Sequence, residues 1–327
     1  MAAMRGARYD ALADSLGPRA LRNQPLGPLT TYGVGGPAEL LVEVDGPDDL
    51  RALSGVLVGR GIPLCVIGRG SNLLVADAGF DGVVVRLGTG FNWMTLPTRD
   101  PKEPPPFVLR AGASTPLPVV ARKAAEAGWS GLTWAVGVPG SVGGAVRMNA
   151  GGHGSDMAGC LLRYSWVDLE RGEVGNDDAS RLHYGYRTSS IAAGQVVVEA
   201  ELVVTPGDAE VERAELASIV RWRRSHQPGG SNAGSVFTNP PEAPAGRLIE
   251  DAGLKGARIG TAQVSVKHAN FIQADRGGRA DDVRALMEYV RARVLEHTGV
   301  LLSTEVRLLG FGGGETDGVD QGAVNGR

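Results

Sequence analysis

Residues Gly137–Gly154 read GVPGSVGGAVRMNAGGHG, and Val66–Asn72 upstream read VIGRGSN. Glycine lets the backbone approach a ligand closely and opens conformations closed to other residues. Successive N–H groups in such turns form concavities that bind anions. Two such turns in one chain predict a ligand with two phosphates held mainly by backbone, that is, a dinucleotide cofactor. The Gly68 turn follows a strand-like run, as a nicotinamide-dinucleotide fingerprint does. Leu73, however, stands where GxGxxG requires its last glycine. Gly33-Val34-Gly35-Gly36-Pro37 does not match that pattern either, and no GxxxxGK[ST] is present. Loops from two α/β pieces clamping a pyrophosphate fit a flavin dinucleotide better.

Composition narrows the class. The chain has 327 residues, room for two or three small domains. A net charge of −3 and 5% aromatics give no footprint for nucleic acid or an anionic membrane. No apolar run reaches the length of a membrane span. The opening MAAMRGARYDALADSLG is too polar for a signal peptide. Cys65 and Cys160 fall in no metal or CxxC pattern, and no histidine pair has zinc spacing, so no metal is expected. The expectation is a cytoplasmic protein acting on a small molecule, a monomer or weak oligomer.

The pattern along the chain predicts five parts. Residues 1–28 read as a short amphipathic lead-in. Residues 29–95 alternate strands at Ala38–Val44, Pro63–Ile67 and Gly82–Leu87 with a helix over Pro47–Arg60, an α/β unit. Residues 96–207 hold a proline-rich loop (Pro97–Pro106), strands near Phe107–Ala111, Leu161–Leu169 and Gln195–Val204, and a helix over Leu117–Ala127 closed by Gly128. From Asp208 charged amphipathic helices over Ala209–Ser225 and Arg279–His297 flank short strands, predicting a separate α+β domain over 208–310. The tail 311–327 is too polar and glycine-rich to bury a core and is expected to be disordered.

Three segments carry candidate chemistry. In HYGYRTSS, Arg187 offers a planar guanidinium suited to clamping an anion. In NAGSVFTNP, Ser235 follows a glycine turn; the segment is not GxSxG, and no His–Asp spacing suggests an acyl-transfer triad. In LSTEVRLL, Glu305 sits among apolar residues, where burial demands a partner or a raised pKa. Taken singly, each reads better as a surface arginine, a turn-capping serine and an edge-strand glutamate.

The ordered set TTYGVGGPA, VIGRGSNLLVAD, GVPGSVGGAVRMNAGG, YGYRTSS, GSVFTNP, GLKGARIG, VSVKHANFI and STEVRLLG resembles the UDP-N-acetylenolpyruvoylglucosamine reductases (UDP-N-acetylmuramate dehydrogenases) over residues 28–310. The resemblance implies an α+β protein. Its FAD would lie in a two-subdomain fold of the vanillyl-alcohol-oxidase/PCMH type, and a C-terminal α+β domain would bind the substrate. It implies an FAD-dependent oxidoreductase of peptidoglycan precursor synthesis. NADPH would reduce FAD, hydride from N5 would reach the enolpyruvyl double bond of UDP-N-acetylglucosamine enolpyruvate, and UDP-N-acetylmuramate would result. It assigns Ser235 as proton donor, with Arg187 and Glu305 acting on the enolpyruvyl carboxylate. The cofactor contacts it implies are Tyr32, Val66, Ile67, Gly68, Arg69, Gly70, Ser71, Asn72 and Leu73 upstream. Downstream they are Val138, Pro139, Gly140, Ser141, Gly143, Gly144, Asn149 and Gly151. Tyr186, Asn239, Lys267 and His268 are substrate contacts.

Some members of the family carry a tyrosine-bearing loop between the arginine and serine motifs. No tyrosine lies between Arg187 and Ser235 here, which points to the class without that loop. Two rivals differ in kind. A sugar or alcohol oxidase of the same cofactor fold would attach flavin through a well-placed His or Cys, and only His153 lies near. A non-catalytic nucleotide-binding module would not need Arg187, Ser235 and Glu305 together.

Overall fold

The computed structural model describes residues 2–98 and 104–312, with side chains described from residue 9 onward. The middle of the proline-rich loop and the tail from residue 313 lie outside the described residues. The chain forms two compact units. The first comprises residues 1–24, 38–71 and 82–229; the second comprises 25–37, 72–81 and 230–327.

Besides a two-stranded pair, Gly151–Gly152 with Ser155–Asp156, the first unit holds two larger sheets. One orders its strands Ala20–Pro25, Pro37–Val44, Phe80–Leu87 and Leu64–Ile67. Leu64–Ile67 and Phe80–Leu87 run parallel, with Cys65 opposite Val84. The β-branched runs of Pro37–Val44 and Phe80–Leu87 bury Val42, Val44, Val83 and Val85 against Leu50, Leu53 and Leu57 of the helix Pro47–Leu57. Asp48 and Asp49 open that helix, where its dipole favours negative charge. The other sheet is antiparallel and has Gln195–Pro206 at its centre, between Leu161–Asp168 and Phe107–Gly112. The helix Leu117–Glu126 buries Leu117, Val120, Ala121 and Ala124 beside it, a helical spacing of apolar positions.

Two boundaries differ from the sequence reading. Residues 1–28 are no mere lead-in. Ala2–Leu16 is a helix whose Tyr9, Leu12, Ala13 and Leu16 join the core of the first sheet, and Ala20–Pro25 is a strand of that sheet. The division expected at residue 208 falls after Gly229. The helix Ala209–His226 buries Leu216 and Ile219 in the same core as Val120 and Trp134, so it is part of the first unit. Asp208 caps it, accepting from the N–H groups of Glu210 and Val211.

The second unit packs the helix Ala280–Thr298 against an antiparallel ladder of Arg258–Ile259, Ala262–Val264 and Ile272–Ala274. Leu73–Val75, from the middle of the chain, pairs in parallel with Arg307–Leu309 near its end. Among the described residues no helix is long and apolar enough to cross a membrane.

Candidate functional site

In the first unit the two glycine turns meet. Gly68 follows the strand Leu64–Ile67, and a Cβ built on it would lie 2.5 Å from the Ser141 hydroxyl oxygen. Only a residue without a side chain permits that approach. Ser141 is buried and caps the short helix Val142–Met148, accepting from the Gly144 N–H at 3.4 Å. Gly143 fits under the same limit, since its Cβ would meet the Ala113 Cβ at 2.9 Å.

Not every N–H of the glycine-rich run is open to a ligand. The Val142 and Gly143 N–H groups donate to the Thr115 and Ala113 carbonyls at 2.9 Å. Those of Gly140 and Ser141 have no partner among the described residues. A cavity of about 380 Å³ opens beside the turns, lined by Val66, Ile67, Gly68, Arg69, Ser141, Gly143 and Gly144. The Glu43–Arg86 ion pair, Asp45, Ser114, Arg147 and Gln195 complete its wall. All of these but Arg147 lie outside the glycine motifs and gave no local signal in sequence. The near-touching turns, the unpartnered N–H groups and the cavity fit the phosphates of FAD.

Several expected cofactor contacts are committed elsewhere. Asn149, 5% exposed, donates both amide hydrogens, to Asp156 Oδ2 at 3.3 Å and to the Gly185 carbonyl at 3.0 Å. Its Oδ1 accepts from the Ala158 N–H at 2.9 Å. That amide has no hydrogen left to donate to a cofactor. Asn72 and Leu73 belong to the second unit, where the Asn72 amide donates to the Glu305 carbonyl at 3.1 Å and Leu73 pairs with Arg307. Tyr32 is sealed in the core of the second unit with Leu74, Val236 and Phe237. Its hydroxyl has no partner among the described residues, and burial pushes its pKa far up.

Arg187 adopts φ 56°, a conformation strained for a non-glycine residue. Its guanidinium donates to the Asn149 carbonyl at 3.1 Å and the Gly151 carbonyl at 2.6 Å, and lies 5.1 Å from the centroid of the exposed Tyr186 ring. The Ser189 hydroxyl donates to the Arg147 carbonyl at 2.6 Å. With the Asn149–Gly185 bond, these straps fix the HYGYRTSS segment against the NAGG segment within the first unit. Val138 and Pro139 flank the same turn, and Gly151 pairs with Asp156.

In the second unit, Ser235 and Glu305 lie on adjoining backbone. The Glu305 N–H donates to the Val236 carbonyl at 2.8 Å, and Phe237 bridges Thr304. Ser235 follows Gly234 at φ 80°, a turn that suits glycine. Its hydroxyl makes no hydrogen bond among the described residues. Asn270, buried at 3%, holds the turn: its Oδ1 accepts from the Phe237 N–H at 3.0 Å and its Nδ2 donates to the Phe237 carbonyl at 2.8 Å. Nothing local in the sequence marks Asn270 for this role, because the contact spans more than thirty residues.

Ser265 Oγ accepts from the N–H groups of Lys267 and His268 at 3.1 and 3.4 Å. His268 Nδ1 accepts from the Asn270 N–H at 3.3 Å, which assigns the ring proton to Nε2. Asn239 is not turned wholly to a substrate, since its Oδ1 accepts from the Ala245 N–H at 3.0 Å.

Two family models match the chain. A family model described as "FAD binding domain" matches residues 38–176, and one described as "UDP-N-acetylenolpyruvoylglucosamine reductase, C-terminal domain" matches 226–309. The second match begins near the boundary seen after Gly229, not at 208. A UDP-N-acetylenolpyruvoylglucosamine reductase of Heliobacterium modesticaldum is 42% identical, covering 91% of this chain and 93% of the relative. One of Anaeromyxobacter dehalogenans is 40% identical over 97% of this chain and 94% of its own. The crystal structure of the reductase from Thermus caldophilus superposes with a TM-score of 0.73 at 36% identity, covering 89% of this chain and 98% of that one. The α+β fold with an FAD-binding domain is therefore shared, and the chain belongs to the UDP-N-acetylenolpyruvoylglucosamine reductase family.

Proposed function

We propose that the chain uses NADPH and FAD to reduce UDP-N-acetylglucosamine enolpyruvate to UDP-N-acetylmuramate, with Arg187, Ser235 and Glu305 as its catalytic residues. Family membership supports the overall reaction. The single observation carrying the residue roles is the placement of Ser235 and Glu305 on hydrogen-bonded neighbouring backbone, with the Ser235 hydroxyl uncommitted.

FAD, when bound, carries the hydride between reductant and substrate; the Gly68–Ser71 and Val138–Gly144 turns would hold it. Adding hydride to an enol ether places negative charge on the carbon beside a carboxylate. Arg187, fixed by two carbonyls, stabilises charge that develops only as the reaction proceeds. Glu305, when protonated, hydrogen-bonds the same carboxylate. Ser235 holds its proton at Oγ and delivers it to the electron-rich carbon. A serine is a weak acid in water, and serves here as an oriented local source. Tyr186, Lys267, His268 and Asn239 bind the rest of the substrate. The chain follows the class without the inserted tyrosine loop and acts in the cytoplasm.

The test separates the half-reactions. In Ser235→Ala, bleaching of the flavin by NADPH proceeds as in the wild type. Recovery of the oxidised spectrum on adding the enolpyruvyl substrate slows by roughly 10²-fold or more, the scale of a lost general acid. Unchanged recovery removes Ser235 from its role.

A further inference from the structure

A second cavity in the first unit, of about 450 Å³, shares Arg69 and Pro139 with the glycine turns and is lined by none of the proposed catalytic residues. Arg69, Arg122 and Arg223 border it, and no acidic residue does. None of the three forms an ion pair among the described residues; Arg69 donates Nε to the Pro139 carbonyl at 3.3 Å. This local concentration of positive charge stands in a chain whose net charge is −3. Arg223 is half-buried, and a desolvated guanidinium without an anion is unfavourable. Burial accordingly holds its pKa below the usual arginine value.

The rest of the wall is apolar, formed by Pro116, Pro118, Val119, Val136 and Pro139. Guanidinium forks match phosphate oxygens in pairs. An apolar shelf beside them suits the sugar or base attached to a phosphate. We infer that this cavity binds the phosphate group of a nucleotide, gripped by Arg69, Arg122 and Arg223.

The source of that phosphate is either the NADPH reductant or a free nucleotide. The first alternative rests on the reductase reading above; the binding site itself does not. Arg122 stands on the exposed face of the helix Leu117–Glu126, outside the catalytic and FAD-binding residues, so Arg122→Glu reverses one charge without disturbing the core.

His153 supplies an independent reporter. A Cβ on Gly137 would meet its ring at 3.2 Å and Arg223 Cδ at 3.3 Å, so both groups flank one wall residue. Burial and then the Arg223 charge depress its pKa. An anion on Arg223 would offset the second cause and raise it.

The experiment titrates flavin-loaded wild type and R122E with inorganic pyrophosphate, following the His153 ring by NMR, and measures anaerobic flavin reduction by NADPH and NADH. Support is saturable pyrophosphate binding to wild type, with an upward shift of the His153 pKa, weakened about tenfold or more in R122E. If R122E also loses apparent affinity for NADPH and pyrophosphate competes with it, the phosphate is the reductant's; retained NADH affinity narrows it to the extra phosphate of NADPH. If pyrophosphate binds without competing, the ligand is a separate nucleotide. No pyrophosphate binding, or binding indifferent to R122E, overturns the inference. Release of FAD from R122E without pyrophosphate binding to the wild type also overturns it, because bound flavin then already occupies the cavity. A wild type whose flavin neither coenzyme bleaches defeats the reductase reading, while the pyrophosphate titration still decides the cavity.

Discussion

Gly68→Ala tests the closeness of the two glycine turns. Gly68 has no left-handed φ to lose, so alanine is tolerated by the backbone itself. Its new methyl would sit 2.5 Å from the Ser141 hydroxyl oxygen, and the next atom, Ser141 Cβ, is at 3.6 Å, an ordinary contact. Ser141 is 3% exposed and caps a helix, so its hydroxyl is not at liberty to swing away. Overpacking of this kind costs about 1–3 kcal/mol. Ser141→Ala alone removes a long cap bond and costs about 0.5–1 kcal/mol, the low end for caps.

The double variant should recover nearly all the overpacking penalty, because the clashing atom is gone. The coupling energy is then about 1–3 kcal/mol in favour of the double variant, well above the few tenths that distant sites show. Two assays read it: chemical denaturation, and the FAD dissociation constant from flavin fluorescence. Each 1.4 kcal/mol transmitted to the turns appears as about tenfold in FAD affinity. Additive single and double variants would mean that Gly68 and Ser141 do not touch, and the paired-turn account of the cofactor site would fail.

Asn149→Ala leaves Asp156 Oδ2, the Gly185 carbonyl and the Ala158 N–H without partners and should destabilise the protein by about 2–4 kcal/mol in denaturant. A loss of flavin binding with no change in stability would contradict the structural role of that amide. Asp282 accepts from the Thr261 N–H and hydroxyl, which hold its carboxyl below its usual pKa. Its contribution is present above the unfolded carboxyl range and is lost as pH falls through the lower folded value. Asp282→Asn should therefore lower Tm at neutral pH, with the two proteins converging in acid; parallel Tm curves would refute this. A fragment of residues 226–309 lacks Tyr32, Val34 and Leu74 from its core and the partner strand of Arg307–Leu309. It should show no cooperative thermal transition by circular dichroism.

The parts legible in sequence were those written locally. Glycine turns carry their signature in consecutive residues, and the strand after Pro63 and the helix after Asp208 announce themselves through apolar runs and a cap. Tyr9, Leu12, Ala13 and Leu16 also recur at helical spacing, so the packing of the first helix was readable, but its many small and charged neighbours masked it. The wall residues Glu43, Asp45 and Gln195 of the FAD cavity were not readable. Glu43 and Asp45 stand at the end of one strand and Gln195 at the start of another, and strand alternation says which face a residue occupies without saying what stands opposite.

The placement of helix Ala209–His226 shows the same limit at the scale of a domain. Its charged texture resembles that of the helix Ala280–Thr298, and a change of texture reads as a boundary. What assigns a helix to a unit is the partner of its apolar face, and Leu216 and Ile219 find theirs in the core of Val120 and Trp134. The converse holds for Leu73–Val75, which continues a cofactor turn in sequence yet finds its ladder with Arg307–Leu309. A parallel pair cannot be closed by a tight turn and tolerates a long connection, so chain proximity carries no information about it. Asn72 thus ends the Gly68 turn and also donates to the Glu305 carbonyl. One residue of a cofactor motif fixes the backbone of a proposed catalytic carboxylate more than two hundred residues away, and only the ladder explains why that turn ends in asparagine.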